Sequence, residues 1–334
     1  MLPSAVKTKI TDIISDRTGK PVAIKQASGI GGGCINDAHR VETDQGSFFV
    51  KFNHAGRYPG MFEAEARGLK LLYDSQHSNA QEDEPRQNKS RQGSAQHESA
   101  RHGESQQNAT RQNDSPIVDV PKVIGYGEQD DISMLVLEYI ESSGKNPDFW
   151  QDFGQGLAAM HRHQSETGEF GLDHDNYIGS LPQYNHPHKT WTEFFVNQRL
   201  EPQLKMARDS GQAGSEVTKM FDRLYPRLPE FFPEEPPSLL HGDLWSGNYM
   251  TGHKGQAVII DPAVYYGHRY MDLGMSKLFG GFSTAFYEAY NDAWPLEPSW
   301  NESMDIANLY PLMVHVNLFG GGYLSSVKGI LKRF

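Results

Sequence analysis

The chain has 334 residues, 37% of them hydrophobic, with 33 glycines, one cysteine and a formal net charge of −11. That length holds one large domain or two lobes with ample core, and glycine brings the apolar total into the usual globular band of roughly 45–50%. The acidic balance argues against nucleic-acid or anionic-membrane partners, and the lone Cys34 excludes an intrachain disulfide or a cysteine-rich zinc cluster.

From the N-terminus, Val6, Ile10, Ile13 and Ile14 form a helical stripe within residues 1–16. This stretch lacks the apolar core of a signal peptide, and no run approaches the ~20 apolar residues of a membrane span. A soluble, cytoplasmic protein is expected. Residues 22–24 and 48–50 read as strands flanking a glycine-rich turn that holds Gly29, Gly31, Gly32 and Gly33. Phe62, Ala66, Leu69 and Leu72 then return to helical period. Between Asp74 and Pro116 the only apolar side chains are four alanines, too few to offset chain entropy, so residues 75–115 read as a disordered polar insert. Residues 120–124 and 132–140 are the next strands. The remainder looks helical apart from a strand–loop–strand stretch at 239–260. A sheet-rich first part and a helical second part predict an α+β enzyme of two lobes.

The densest chemistry lies between residues 239 and 262, where two apolar segments bracket a polar loop holding Asp243 and Asn248, followed by Asp261. The five-residue offset from Asp243 to Asn248 matches the kinase pattern H-R-D-x-x-x-x-N. In that template the first Asp accepts a hydroxyl proton, while the Asn and the later Asp hold magnesium on nucleotide phosphates. A bare turn at His241-Gly-Asp243 and a strand end at Asp261-Pro262 would be the bland explanation of each motif alone. The upstream half supplies the other parts in order. The glycine turn offers backbone N–H groups to phosphates, though it is neither G-x-G-x-x-G nor Walker A. Lys51 ends a strand, as a phosphate-pairing lysine would, and Glu63 and Glu65 lie on the next helix. Glu65 is preferred as the clamp because it stands one turn before Leu69 on the inward side.

These residues resemble a known family. His241-Gly-Asp-Leu-Trp-Ser-Gly-Asn248 and Asp261-Pro-Ala-Val-Tyr-Tyr-Gly-His268 are similar to the signatures of fructosamine kinases (ketosamine-3-kinases), within the wider aminoglycoside-phosphotransferase-like group. The strings at 32–36, 176–180, 278–282 and 317–321 match as well, so the resemblance spans the chain apart from the polar insert. It implies a two-lobed protein-kinase-like fold, with a nucleotide-binding N-lobe at 1–140 and a catalytic, substrate-binding C-lobe at 141–334. It makes Asp243 the catalytic base, Asn248 and Asp261 the magnesium ligands, Lys51 and Glu65 the nucleotide clamp, and Glu138, Tyr139 and Ile140 the hinge beside adenine. Asp272 would brace the catalytic loop. The family usually carries an acid one or two places after its Gly-His-Arg, whereas Tyr270 and Met271 follow Arg269 here.

The implied activity is ATP-dependent phosphorylation of the 3-hydroxyl of a ketosamine, on a small amine or a glycated protein, leading to deglycation. An aminoglycoside kinase and a catalytically silent nucleotide-binding scaffold are the alternatives. Trp245 projects from the catalytic loop and either stacks on the sugar or packs locally. His161 and His163 read as core-packed, His186 and His188 as solvated loop residues, and Trp191, Phe194 and Phe195 as a packing stripe. Cys34 follows the glycine turn. It reads either as a redox-sensitive thiol able to link two subunits or as a small buried side chain, which leaves a monomer or a redox-linked homodimer.

Overall fold

The computed structural model describes residues 2–31, 36–77 and 116–334. Gly32, Gly33, Cys34 and most of the polar segment, residues 78–115, lie outside the described residues.

The first lobe is an antiparallel sheet carried between two helices. Helix α1 (Ser4–Thr18) precedes strands β1 (Ile24–Gly29), β2 (Asp37–Thr43) and β3 (Gly46–His54), helix α2 (Met61–His77), and strands β4 (Val123–Gln129) and β5 (Ile132–Glu138). The spatial order is β1-β2-β3-β5-β4. Period-two alternation divides the two faces. Val41, Phe48, Val50, Phe52, Met134 and Val136 pack with Val6, Ile10, Ile13 and Ile14 of α1 in one closed cluster. Phe49, Leu135 and Leu137 belong to the larger core that runs into the second lobe.

The glycine turn joins β1 to β2, not to the strand at 48–50. Strand β2 went unpredicted because its residues, Asp-Ala-His-Arg-Val-Glu-Thr, are mostly polar; its ladder bonds to β1 and β3 hold it. Strand β4 starts at Val123 and continues through Gly125 and Gly127, residues that disguise a strand in sequence. Helix α2 also runs further than the composition suggested, so residues 75–77 are helical rather than insert. Gln76 explains the extension. Its side chain donates to Val118 O and accepts from Val118 N, both at 2.9 Å, so the helix end is stitched to the returning chain.

In the second lobe, helix α3 (Phe149–His161) and hairpin β6–β7 (Asn176–Ile178, Leu181–Gln183) precede α4 (Trp191–Phe194), which runs through one π-helical turn into α5 (Glu201–Asp209). Helix α6 (Ser215–Leu224) leads to strands β8 (Ser238–Leu240), β9 (Tyr249–Thr251), β10 (Ala257–Ile259) and β11 (Tyr265–Gly267). Helices α7 (Tyr270–Leu278), α8 (Thr284–Ala293), α9 (Trp300–Ala307), α10 (Leu309–Phe319) and α11 (Gly322–Leu331) close the lobe. The predicted strand–loop–strand holds one strand more, and its hairpin β9–β10 is nested inside the β8–β11 pair. Strand β8 pairs with β11 and β9 with β10, so the segments on either side of the Asp243 loop have different partners. Trp191, Phe194 and Phe195 are buried in the core, as the packing stripe implied. No helix among the described residues is long and apolar enough to cross a membrane.

Candidate active site

Lys51 alternates with Val50 and Phe52 on β3, so it points away from α1 and toward the second lobe. There it is 5% exposed, with Nζ 2.8 Å from Glu65 Oε1 and 2.5 Å from Asp261 Oδ1. Burial alone would pull the ammonium down, but the two carboxylates outweigh it and hold Lys51 above its ordinary value. Glu65 sits on the inward side of α2, whereas Glu63 is exposed. Desolvation pushes the Glu65 carboxyl up, and Lys51 opposes that shift.

The loop after β8 is built from backbone contacts that leave two carboxylates in different settings. His241 is buried and kept neutral by burial. Its Nε2–H donates to Ile260 O at 2.9 Å, and its Nδ1 accepts the Asp243 N–H at 3.3 Å. Gly242 has φ 82°, and a Cβ there would lie 2.0 Å from Ala263 O, so no other residue fits the turn. Asp272, at the start of α7 and fully buried, accepts the N–H groups of His241 at 2.7 Å and Gly242 at 2.8 Å. Asp272 thereby fixes the backbone immediately before Asp243.

Asn248 donates from Nδ2 to Asp243 Oδ2 and to Asp243 O, both at 2.9 Å. Loss of solvent raises the Asp243 carboxyl; the Asn248 bond opposes that, Asp261 and Asp272 add to it, and the result is about 7. Asp261 is held differently. Its φ of 56° is left-handed, a conformation otherwise taken among described non-glycine residues only by Asp130, and its side chain is half exposed. Ile260 N donates to Asn248 O at 3.0 Å, which brings the residue before Asp261 against Asn248.

This donor set suits magnesium. Asn248 spends its N–H groups on Asp243, and its amide oxygen has no hydrogen-bond partner among the described residues. Asp261, one residue beyond the Ile260–Asn248 backbone bond, adds a half-exposed carboxylate. Hard oxygen ligands with room for water and phosphate oxygens are what magnesium requires.

The remaining expectations fall around this centre. Glu138 ends β5, its carboxylate turned back to accept Lys122 N at 2.9 Å, and Tyr139 and Ile140 follow it beyond the ladder. Gly31 is exposed with nothing near its Cβ position among the described residues, and Asn36, on the far side of the turn, accepts from Asn53 of β3 at 2.8 Å. Trp245 is 37% exposed. Its ring folds over Gly247, where a Cβ would meet it at 2.3 Å, and lies edge-on to Phe279 at 6.1 Å. His163 stacks on Tyr266, while His186 is exposed and its carbonyl bonds His188.

Sequence reasoning missed the part played by His161. It is a core histidine, as expected, but its Nε2 lies 3.1 Å from Asp272 Oδ2 and its Nδ1 2.8 Å from the Tyr290 hydroxyl. Only the crossing of α3, α7 and α8 reveals that relay, since the three residues share no local pattern. The absent acid after Arg269 is also answered at a distance: Glu235 binds the guanidinium with two bonds of 2.8 and 2.7 Å.

Comparison with known proteins identifies the family and the fold. The model of the fructosamine kinase family matches residues 6–83 and 92–334. A protein-ribulosamine 3-kinase of Arabidopsis thaliana is 35% identical over 315 residues, covering 94% of this chain and 83% of that protein. Among solved structures, a fructosamine-3-kinase candidate from Thermobifida fusca YX-ER1 is 32% identical with a TM-score of 0.75 and covers 97% of both chains. Aminoglycoside phosphotransferase APH(4)-Ia is similar in fold alone, with 13% identity, a TM-score of 0.56 and 98% coverage of both chains. The fold is the two-lobed, protein-kinase-like one.

Proposed function

Because the chain belongs to the fructosamine kinase family, we propose that it transfers the γ-phosphoryl group of ATP to the 3-hydroxyl of a ketosamine. The observation that carries this reading is the separation of the two carboxylates. Asp243 is tied to Asn248 and makes no ion pair among the described residues, whereas Asp261 is paired with Lys51 across the cleft. One acid is thus available to a hydroxyl and the other to the nucleotide.

Asp243, with a carboxyl raised to about 7, accepts the proton of the attacking hydroxyl near neutral pH and orients its oxygen in line with the phosphoryl group. The hydroxyl oxygen forms the new P–O bond as the bond to ADP breaks. Lys51, positioned by Glu65, offsets charge on the phosphates. Asn248 and Asp261 would hold magnesium, which when bound neutralises charge on the phosphate oxygens. The backbone of Tyr139 and Ile140 would read the base edge, and the glycine turn would cover the phosphates. Trp245, exposed beside Asp243, would form a wall for the sugar.

Enolisation of the C2 carbonyl toward C1 lets the 3-phosphate leave as inorganic phosphate, and water then hydrolyses the resulting imine to the free amine and a 3-deoxydicarbonyl sugar, which makes the role deglycation. We divide the chain into an N-lobe through residue 140 and a C-lobe from 141, and place it in the cytoplasm, where ATP and magnesium are available. A panel of ribulosyl-lysine, fructosyl-lysine and kanamycin with magnesium and ATP tests the reading. ADP release with either lysine adduct supports it, and phosphorylation of kanamycin alone overturns it.

A further inference from the structure

The register of the first sheet gives Arg40 a definite place. Arg40 pairs with Phe49 and Phe49 with Leu137, so all three share the face opposite α1, with Lys51 two residues along β3 on that same face. From β2 the Arg40 side chain reaches across β3 to the segment after β5, where its guanidinium carbon lies 4.5 Å from the centre of the Tyr139 ring.

Its charge is held close by. Nη2 is 3.2 Å from Glu42 Oε1, and Glu141 stands 4.0 Å away. The Nε atom is shut off from solvent and has no hydrogen-bond partner among the described residues. An arginine that leaves one buried N–H unpaired while facing a ring is arranged for contact through its flat face. Guanidinium is planar and weakly hydrated, and it packs on π-systems in a way that the compact ammonium of lysine does not.

On the kinase reading Lys51 would lie at the phosphate end of the cleft and residues 138–140 at the base end, and Arg40 reaches the second through Tyr139. We propose that Arg40 is a nucleobase-stacking residue, whose guanidinium packs on the face of the purine while the backbone after β5 reads its edge. The inference deepens the kinase reading and rests on it. Every base offers a π-face, and the larger face of a purine gives the larger contact, so ATP is favoured over CTP at this position.

Titration calorimetry with ATP, CTP and inorganic tripolyphosphate, each with magnesium, separates a base contact from a phosphate contact. Arg40→Ala is expected to weaken ATP about tenfold, to narrow the preference over CTP, and to leave tripolyphosphate unchanged. Unchanged tripolyphosphate binding also reports an intact cleft, and Arg40→Gln serves as a second removal of similar length. Arg40→Lys is expected to lose as much ATP affinity as Arg40→Ala, because charge alone does not stack. Equal losses for ATP and tripolyphosphate, full ATP affinity in Arg40→Lys, or no change in Arg40→Ala would each overturn the proposal. Failure of the unaltered protein to bind ATP would instead overturn the kinase reading.

Discussion

Lys51 and Asp261 are separated by 210 residues of sequence and by 2.5 Å in space. Their contact joins the sheet of one lobe to the loop of the other, and Glu65 completes it from α2. Removing the lysine leaves Glu65, 11% exposed at its side chain, with no other cation paired to it among the described residues. Breaking a buried pair from one side costs about 3–5 kcal/mol, whereas neutralising both members is far milder. Lys51→Met should therefore lower the melting temperature sharply, and Lys51→Met with Glu65→Gln should restore most of it. Neither variant should recover turnover. A double variant as unstable as the single one would show that Glu65 is not the group left stranded.

The two carboxylates should fail differently. Asp243→Asn keeps an acceptor for Asn248 and removes the proposed base, so turnover should fall by about 10²–10⁴-fold with magnesium–ATP affinity nearly intact. Asp261→Asn should weaken nucleotide binding in its magnesium-dependent part. Calorimetric titration of both variants decides, and equal loss of nucleotide affinity would mean that the roles are wrongly divided.

Asp243 also predicts two pH effects of opposite sense. The base must be ionised, so kcat/KM should fall about tenfold per unit as pH drops below about 7. Stability runs the other way. The folded carboxyl titrates above its unfolded value of 3.8, so the folded state holds the proton more tightly between those two values. The stability this group contributes is present below the unfolded value and is lost as pH rises through about 7. Asp243→Asn should thus melt higher than the parent at pH 8 in chelator, by about 1–2 kcal/mol, since solvent screens a half-buried carboxylate. At pH 4 the difference should vanish. Thermal melts at the two pH values check the sign.

Gly242 tests the turn that delivers Asp243. A methyl group there meets Ala263 O at 2.0 Å with φ at 82°, so Gly242→Ala must move one strand of the loop or the other. Turnover should be lost together with roughly 2 kcal/mol or more of stability. Gly31→Ala, whose Cβ would meet nothing among the described residues, is the control and should leave stability within about 0.5 kcal/mol.

Deleting residues 78–113 should leave turnover nearly unchanged and stability within about 1 kcal/mol, because loop closure depends only weakly on length. The Gln76–Val118 pair of bonds holds the flanking chain together independently of what lies between. A large loss of activity would show that the deleted residues contact substrate or a lobe.

The sequence carried the chemistry because the proposed phosphate and metal groups fall in short motifs whose spacing the reaction itself demands. His241-Gly-Asp243, Asn248 and Asp261-Pro262 lie within 22 residues, and Lys51 and Glu65 fall at strand and helix positions that alternation and helical period can read. Three-dimensional packing alone decided the rest. Strand β2 is polar and exists through its ladder bonds, so no pattern announced it, and with it Arg40 stayed unseen. His161 reads as core from its helix, yet its bond to Asp272 and its bond to Tyr290 depend on how α3, α7 and α8 cross. The choice of Glu235 as the partner of Arg269, in place of a local acid, is of the same kind. Local order follows from propensity and period, which act over a few residues; contacts between distant segments depend on the packing of whole elements, which no short window of sequence contains.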